Sequence, residues 1–345
     1  MVVVGAGAMG SATAWWLARW GRDVILVEQF EARHERGSSH GSTRLFRVAY
    51  PEPLFIEMAR RALPLWRELE EEAGVELLAT TGGVDYGDPV SLQPIVEAMA
   101  NAGVPHVVVD PLEAGRRWPG FAFDGPVVYQ PDAGRIAAAA AVSALQERAR
   151  ICGASVQFEE PVRALTPRDD NRVLVTTDVE QYRAARAVVT AGAWVNSLLE
   201  GLVDLPPLTV TREQVFHFRS RSDDAVWPSF IHHGHAFMYG LQAPGDEGVK
   251  VAEHHTGAVT TAEGRSFKVD ETGRQRVIRH VTAQMPGLDP TPTSASTCLY
   301  TNTPDESFII ERHGPIVVGS PFSGHGFKFV PLIGRQLAAL AIGSD

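Results

Sequence analysis

Met1-Val2-Val3-Val4-Gly5-Ala6-Gly7-Ala8-Met9-Gly10 begins the chain and decides how it folds. Four apolar residues make a short strand, and glycines at 5, 7 and 10 follow at once. Ser11–Trp20 reads as a buried helix ended by Gly21. Arg22-Asp23-Val24-Ile25-Leu26-Val27-Glu28 is the next strand and finishes on a carboxylate. Glu28 stands 18 residues after Gly10, close to the ~20 expected of an acid that reaches a ribose. A lone GxGxxG is weak evidence, but the strand before it, the helix after it and the acid at this distance make a dinucleotide site. Gly5 permits the tight turn, Gly7 lets the backbone approach a pyrophosphate, and Gly10 lets the helix pack on the strand. The helix N-terminus then faces the phosphates. The motif by itself does not separate NAD from FAD.

Beyond that unit, Glu31–Arg47 is polar and rich in Gly, Ser and His, and reads as a long functional loop. Pro53–Ala73 reads as a helix with an apolar face at Phe55, Met58, Ala62, Leu65 and Trp66. Residues 78–130 alternate short strands with turns such as Thr81-Gly82-Gly83. Arg135–Cys152 is an Ala-rich helix stopped by Gly153, and Ala154–Phe158 and Arg172–Thr177 read as strands. Ala187-Val188-Val189-Thr190-Ala191-Gly192 is a strand running into a glycine, suited to a buried parallel sheet. Residues 207–300 read mainly as antiparallel strands with one helix near Thr272–Gln284. Ile316–Val318 is a buried strand that enters Gly319-Ser320-Pro321-Phe322-Ser323-Gly324-His325-Gly326-Phe327-Lys328, and a helix follows over Leu332–Ala341. Parallel-sheet segments separated by antiparallel ones imply two interleaved, discontinuous domains.

Composition narrows the function. The 345 residues are 44% hydrophobic and 21% charged, enough for a sizeable core and about two domains. A net charge of −10 argues against a nucleic-acid partner, because phosphate binding needs clustered positive charge. No apolar run approaches the ~18–20 residues of a membrane span, and the N-terminus lacks the basic region of a signal peptide. Two cysteines, Cys152 and Cys298, make no disulfide scaffold and point to a reducing, cytoplasmic setting. Of the 31 basic residues only three are lysines: Lys250, Lys268 and Lys328. A lysine kept amid so much arginine suggests a need for a compact ammonium that can lose its proton.

Several local motifs converge on one family. Gly37-Ser38-Ser39-His40-Gly41-Ser42-Thr43-Arg44-Leu45-Phe46-Arg47 resembles the flavin-contacting loop of the monomeric sarcosine oxidase and N-methyltryptophan oxidase family. Cys298-Leu299-Tyr300-Thr301-Asn302-Thr303-Pro304-Asp305-Glu306 is similar to that family's flavin-attachment segment. Phe322-Ser323-Gly324-His325-Gly326-Phe327-Lys328 resembles its C-terminal flavin loop, and Lys250-Val251-Ala252-Glu253-His254 its lysine–histidine strand. The motifs stand in the family's order, and the resemblance covers essentially the whole chain. It departs only at the ends, where a few leading residues and the usual C-terminal continuation are missing, as truncation would explain.

The resemblance implies an α/β fold: a Rossmann-like FAD-binding domain interleaved with an α+β substrate domain carrying a large antiparallel sheet. The expected FAD-binding parts are residues 1–80, 141–215 and 300–345, and the expected substrate parts are residues 81–140 and 216–299. It implies FAD held by a thioether from Cys298 to the 8α position, an 8α-S-cysteinyl link. Read as a bare cysteine, Cys298 is a small buried hydrophobe. Gly5, Gly7, Met9, Gly10, Glu28, His40, Thr43, Arg44, Val162, Gly192, Gly324, Gly326 and Lys328 are then the cofactor contacts. Arg47 and Lys328 match the pair that clamps a substrate carboxylate, which in a dry pocket needs a cationic partner. Lys250 matches a lysine that favours O2 reduction, and Arg44 an arginine beside the flavin ring. Tyr239, His254 and Tyr300 match residues lining the substrate cavity. His255 competes with His254 for that place; on a strand the two face opposite ways.

The activity so implied is oxidation of a small secondary amino acid: sarcosine, O2 and water give glycine, formaldehyde and H2O2. Alternatives within the family are N-methyltryptophan, pipecolate, glycated-amino-acid or other imino-acid oxidation. A flavin dehydrogenase with another electron acceptor, and a non-catalytic flavoprotein, are the readings outside it. The implied partners are a small-molecule substrate and O2, with no nucleic acid and no membrane, and the implied state is a monomer. Ile231-His232-His233-Gly234-His235 suggests a metal, but no Cys or carboxylate lies near it in sequence, so no metal is expected. Trp15, Trp16 and Trp20 read as helix packing.

Overall fold

The computed structural model of the chain describes residues 1–343; the last two residues of the expected FAD-binding part, 344 and 345, lie outside the described residues. A six-stranded sheet forms from Ile310–His313, Ile316–Gly319, Ala187–Val189, Val2–Val4, Ile25–Val27 and Ser155–Gln157, in that order. All neighbours are parallel except the edge strand Ile310–His313. Its valine runs are explained by burial on both faces. Val3, Leu26, Val188 and Val317 point toward a helical layer. Val2, Val4, Val27, Val189 and Val318 point toward a three-stranded antiparallel sheet built from Val162–Pro167, Val173–Thr177 and Gln181–Ala184. In the helical layer Ala8–Arg19 packs against both Ala138–Ile151 and Val330–Ile342, and Pro53–Ala73 also contacts those two.

A second, nine-stranded sheet forms the other half. Its long strands Thr209–Ser220 and Leu288–Asn302 run antiparallel, with Cys298 opposite Glu213. Val249–Glu253, Phe237–Gln242 and Ser229–His233 continue it antiparallel, and Ser229–His233 then pairs in parallel with Gly83–Gly87. The helix Glu271–Gln284 buries Val277 and Val281 against Phe216, Phe218 and Val251 in this half's core. The long strands pass through positions 215 and 300, so both parts of the molecule share continuous chain there.

Three sequence expectations need correction. The loop expected over 31–47 ends in a strand, Thr43–Phe46, which pairs with Gly134–Ala137. The helix expected over 135–152 therefore starts only at Ala138. Residues 78–130 are not strands and turns alone, because Pro89–Asn101 and Pro111–Arg117 are helices. Both have aspartate N-caps, Asp88 and Asp110, whose carboxylates accept backbone N–H groups, and both have proline in the first turn. Pro94 inside the first of them reads locally as a helix breaker and hides it.

Candidate active site

One cavity of about 750 Å3 runs between the two halves, from the parallel sheet's carboxyl ends to the face of the large sheet. At its first end the glycines do what their spacing requires. Gly5 has φ +94°, and a Cβ there would stand 2.7 Å from the Thr190 carbonyl oxygen. Gly10 does not line the cavity; a Cβ on it would fall 1.9 Å from the Gly5 oxygen, so its role is close packing of helix on strand. The helix starts at Ala8, three residues earlier than the sequence suggests, so its N-terminal turn lies within the glycine motif. Glu28 is buried and fixed: Oε2 accepts from Ala6 N at 2.8 Å and Oε1 from Phe30 N at 3.2 Å. Gly7, Met9, Val162 and Gly192 line the same stretch. A helix N-terminus whose cap residue, Gly7, brings no side chain, and an anchored carboxylate beyond the strand, fit a dinucleotide.

Toward the large sheet, alternate residues of neighbouring strands turn one face to the cavity. Val215 and His217, then Ser296, Cys298 and Tyr300, follow the period of two along their strands. Lys250 and Tyr239 come from the two adjacent strands. Lys250 is buried, and Nζ donates to the Thr43 carbonyl oxygen at 3.3 Å. Burial, with Arg44 close by, brings its pKa down to about 7. Thr43 Oγ1 is buried with no hydrogen-bond partner, a polar group that a ring system in the cavity would satisfy. Arg44 donates to the carbonyls of Thr43, Ser38 and His40. Burial and the surrounding cations Arg44, Arg265 and Lys250 press His40 down to about 3, so its ring is neutral. Cys298 is buried, and that burial raises its thiol pKa against the pull of Arg44 and Lys250.

At the third corner two cations share an aromatic ring. The Arg47 guanidinium carbon lies 3.9 Å from the Tyr50 ring centroid, and Lys328 Nζ lies 5.4 Å from it. Lys328 is buried and donates to the His325 oxygen at 2.5 Å. Burial and the neighbouring Arg47 hold its pKa well below the usual lysine range. Neither Lys250 nor Lys328 meets a carboxylate within ion-pair distance among the described residues. The Tyr50 hydroxyl is buried and unpartnered, and burial raises its pKa to about 12. His254 lines the cavity, with Nδ1 3.3 Å from the Tyr300 hydroxyl, and burial drives its pKa far down. Gly324 lies against the Tyr300 ring, and Gly326 against Phe322.

The structure thus brings the sequence-chosen residues to one cavity, Gly10 excepted. The strand carrying Lys250 ends at Glu253, so His254 and His255 do not point to opposite faces of a strand. His255 has φ +57°, its ring lies 4.1 Å from that of His254, and its Nε2 stands 3.7 Å from Glu306. The histidine run at 231–235 meets two carboxylates that are remote in sequence. His233 Nε2 lies 2.9 Å from Asp85 Oδ1, and His232 Nε2 lies 3.2 Å from Asp124. Sequence reasoning missed Tyr50, Asp85 and Arg265. Tyr50 follows Arg47 by three residues and was within reach of the loop reading; Asp85 and Arg265 carry no local signal.

Residues 1–340 match the family model described as FAD dependent oxidoreductase. The chain is 35% identical to the monomeric sarcosine oxidase of Streptomyces avermitilis, covering 99% of this chain and 93% of that protein. It is 34% identical to the human peroxisomal sarcosine oxidase, covering 99% and 91%. Among solved structures, the open form of NikD, an unusual amino acid oxidase essential for nikkomycin biosynthesis, superposes with a TM-score of 0.89. Its sequence is 28% identical, with 99% of this chain and 93% of that one covered.

Proposed function

The chain belongs to the family of FAD-dependent oxidoreductases, and on that premise we propose that it oxidises a small secondary amino acid, with sarcosine the first candidate. The reaction takes sarcosine, O2 and water to glycine, formaldehyde and H2O2. When bound, FAD would supply the two-electron acceptor for the C–H bond beside nitrogen and a route for those electrons to O2. The observation that carries the substrate class is Lys328, buried without a counter-charge, beside the part-buried Arg47, with both cations against Tyr50. Arg47 meets Asp85 only at 3.7 Å, and a substrate carboxylate at the cavity end would give both cations a partner. Tyr50, with its free hydroxyl, stands ready as a further donor. Tyr239, His254 and Tyr300 wall the space where the amine would lie. Burial holds the His254 pKa far down, and selection of the neutral amine by the pocket would make a side-chain base unnecessary.

Lys250 is assigned to promoting O2 reduction, because a cation fixed next to developing negative charge lowers that barrier. Arg44, His40 and Thr43 are assigned to the flavin ring, and Glu28 to the ribose. Cys298 is assigned the 8α thioether: forming the C–S bond would remove one hydrogen from the thiol and one from the 8α carbon, and O2 would take up both as H2O2. We extend the proposal to a monomer in the cytosol. The Streptomyces relative is designated monomeric, and Cys152 and Cys298 form no disulfide with each other. Among the described residues no helix is long and apolar enough to cross a membrane.

The test is a peroxidase-coupled screen of sarcosine, N-methyltryptophan, pipecolate and carboxylate-free methylamines. Peroxide from a secondary amino acid, with little from the methylamines, supports the proposal. A preference for amines lacking the carboxylate overturns it.

A further inference from the structure

Arg265 is almost fully buried, yet it faces no acid within ion-pair distance among the described residues. Its guanidinium instead gathers backbone carbonyls from two distant segments. Nη1 donates to the oxygens of Glu35 at 2.6 Å, Arg36 at 2.9 Å and Gly37 at 3.3 Å. Nη2 donates to the carbonyl oxygen of Thr297, and Nε reaches Thr297 Oγ1 at 3.3 Å. Thr297 immediately precedes Cys298. On the other side of Cys298, the Leu299 oxygen accepts from Ser38 Oγ at 2.6 Å. The loop 35–38 is therefore tied to the strand at both neighbours of the cysteine. The same loop continues to Ser39, whose Oγ accepts from Ala8 N at 3.0 Å at the start of the glycine-motif helix.

We propose that Arg265, seconded by Ser38, is a positioning residue for covalent flavin attachment: it clasps the loop 35–38 to the strand so that the Cys298 thiol is held against the cofactor. The inference rests on the attachment proposed above. Its physical basis is that three carbonyls of one irregular loop and one of the strand converge on a single rigid five-donor fork. A lysine cannot satisfy that set from one point. The cation also stands beside a thiol that must become a thiolate to react. A small displacement of a reacting atom costs rate out of proportion to the distance.

The test uses full-length apoprotein, made under riboflavin limitation and mixed with FAD. The first-order constant for attachment at saturating FAD is read as acid-stable flavin against time. Wild type should attach FAD, and Arg265→Met should do so about tenfold to a hundredfold more slowly at saturation. Arg265→Lys, which keeps the charge, should fall between them, and Ser38→Ala should slow attachment severalfold. Should Arg265→Met fail to fold, the Lys and Ser38 variants carry the test. A purely structural role would raise the FAD concentration needed for half-saturation and leave the saturated constant unchanged, which would overturn the inference. Wild type without acid-stable flavin would instead remove the attachment itself, and this inference with it.

Discussion

Arg47 Nη1 lies 3.7 Å from Asp85 Oδ1, and Asp85 is itself gripped by His233 at 2.9 Å and Gln130 at 3.0 Å. Gln130 Oε1 in turn accepts from the backbone of Val48 and Ala49, at 2.8 and 3.1 Å, so the carboxylate and the arginine's own segment share one buried network. Lys328 has no such counter-charge. The two cations assigned to the substrate carboxylate therefore differ in what they leave behind when removed.

Arg47→Ala and Lys328→Met should each raise the KM for the amino acid strongly, because losing one side of a buried charge contact commonly costs about 2–5 kcal/mol. Activity on a carboxylate-free amine should change little in either. Their stabilities should diverge. Arg47→Ala leaves Asp85 buried with less compensation and should lose up to about 3 kcal/mol. Lys328→Met relieves a desolvated ammonium and should melt no lower than wild type. Steady-state kinetics on both substrates and thermal melts check this. Equal losses on both substrate types would contradict the clamp.

Lys250 gives the pH dependence. Its pKa is depressed to about 7 by burial, so it is charged below that pH and neutral above. Reoxidation of the reduced enzyme by O2 should fall as pH rises through about 7. Lys250→Met should lower reoxidation ~10²–10³-fold, the worth of a preorganised charge, and flatten its pH profile. Anaerobic reduction by substrate should drop only moderately. Stopped-flow absorbance of each half-reaction reads both effects. Wild-type reoxidation in Lys250→Met would dismiss the assignment.

Cys298→Ala should release yellow flavin on acid precipitation, while wild type and Cys152→Ala retain it. Flavin lost alike from wild type and Cys298→Ala would end the covalent assignment. Release from Cys152→Ala alone would transfer it to the other cysteine.

Gly10→Ala tests the cradle. The added methyl would fall 1.9 Å from the Gly5 oxygen and 2.5 Å from Thr190 Oγ1, with backbone on one side. Overpacking of this kind costs about 1–3 kcal/mol, and here it moves the helix off the strand at the pyrophosphate site. A lower melting temperature and weaker FAD retention are expected together. Unchanged FAD binding would show that the helix adjusts.

Much of this was readable in the sequence, for reasons visible in particular elements. Val2–Val4, Ala187–Val189 and Ile316–Gly319 are apolar on both faces, which only a doubly covered sheet explains. The glycine positions and Glu28 are local patterns whose chemistry depends on spacing, whereas the Cys298 segment speaks only through its resemblance to a family's attachment segment. What was not readable depends on contacts far along the chain. Arg265 meets loop 35–37 across more than 220 positions, and Asp85 meets His233 across 148. The strand Thr43–Phe46 takes its partner from residues 134–137, so within the polar stretch 31–47 it looked like loop. The helix Pro89–Asn101 was hidden by Pro94, a residue that local propensity penalises and tertiary context tolerates.

Product analysis with sarcosine in air bears most directly on the proposed activity. Purified holoenzyme should yield formaldehyde, glycine and H2O2 in equal amounts, with one O2 consumed for each. Formaldehyde formed only with an added electron acceptor, and no H2O2 without one, would contradict an oxidase; no formaldehyde under either condition would remove sarcosine as the substrate.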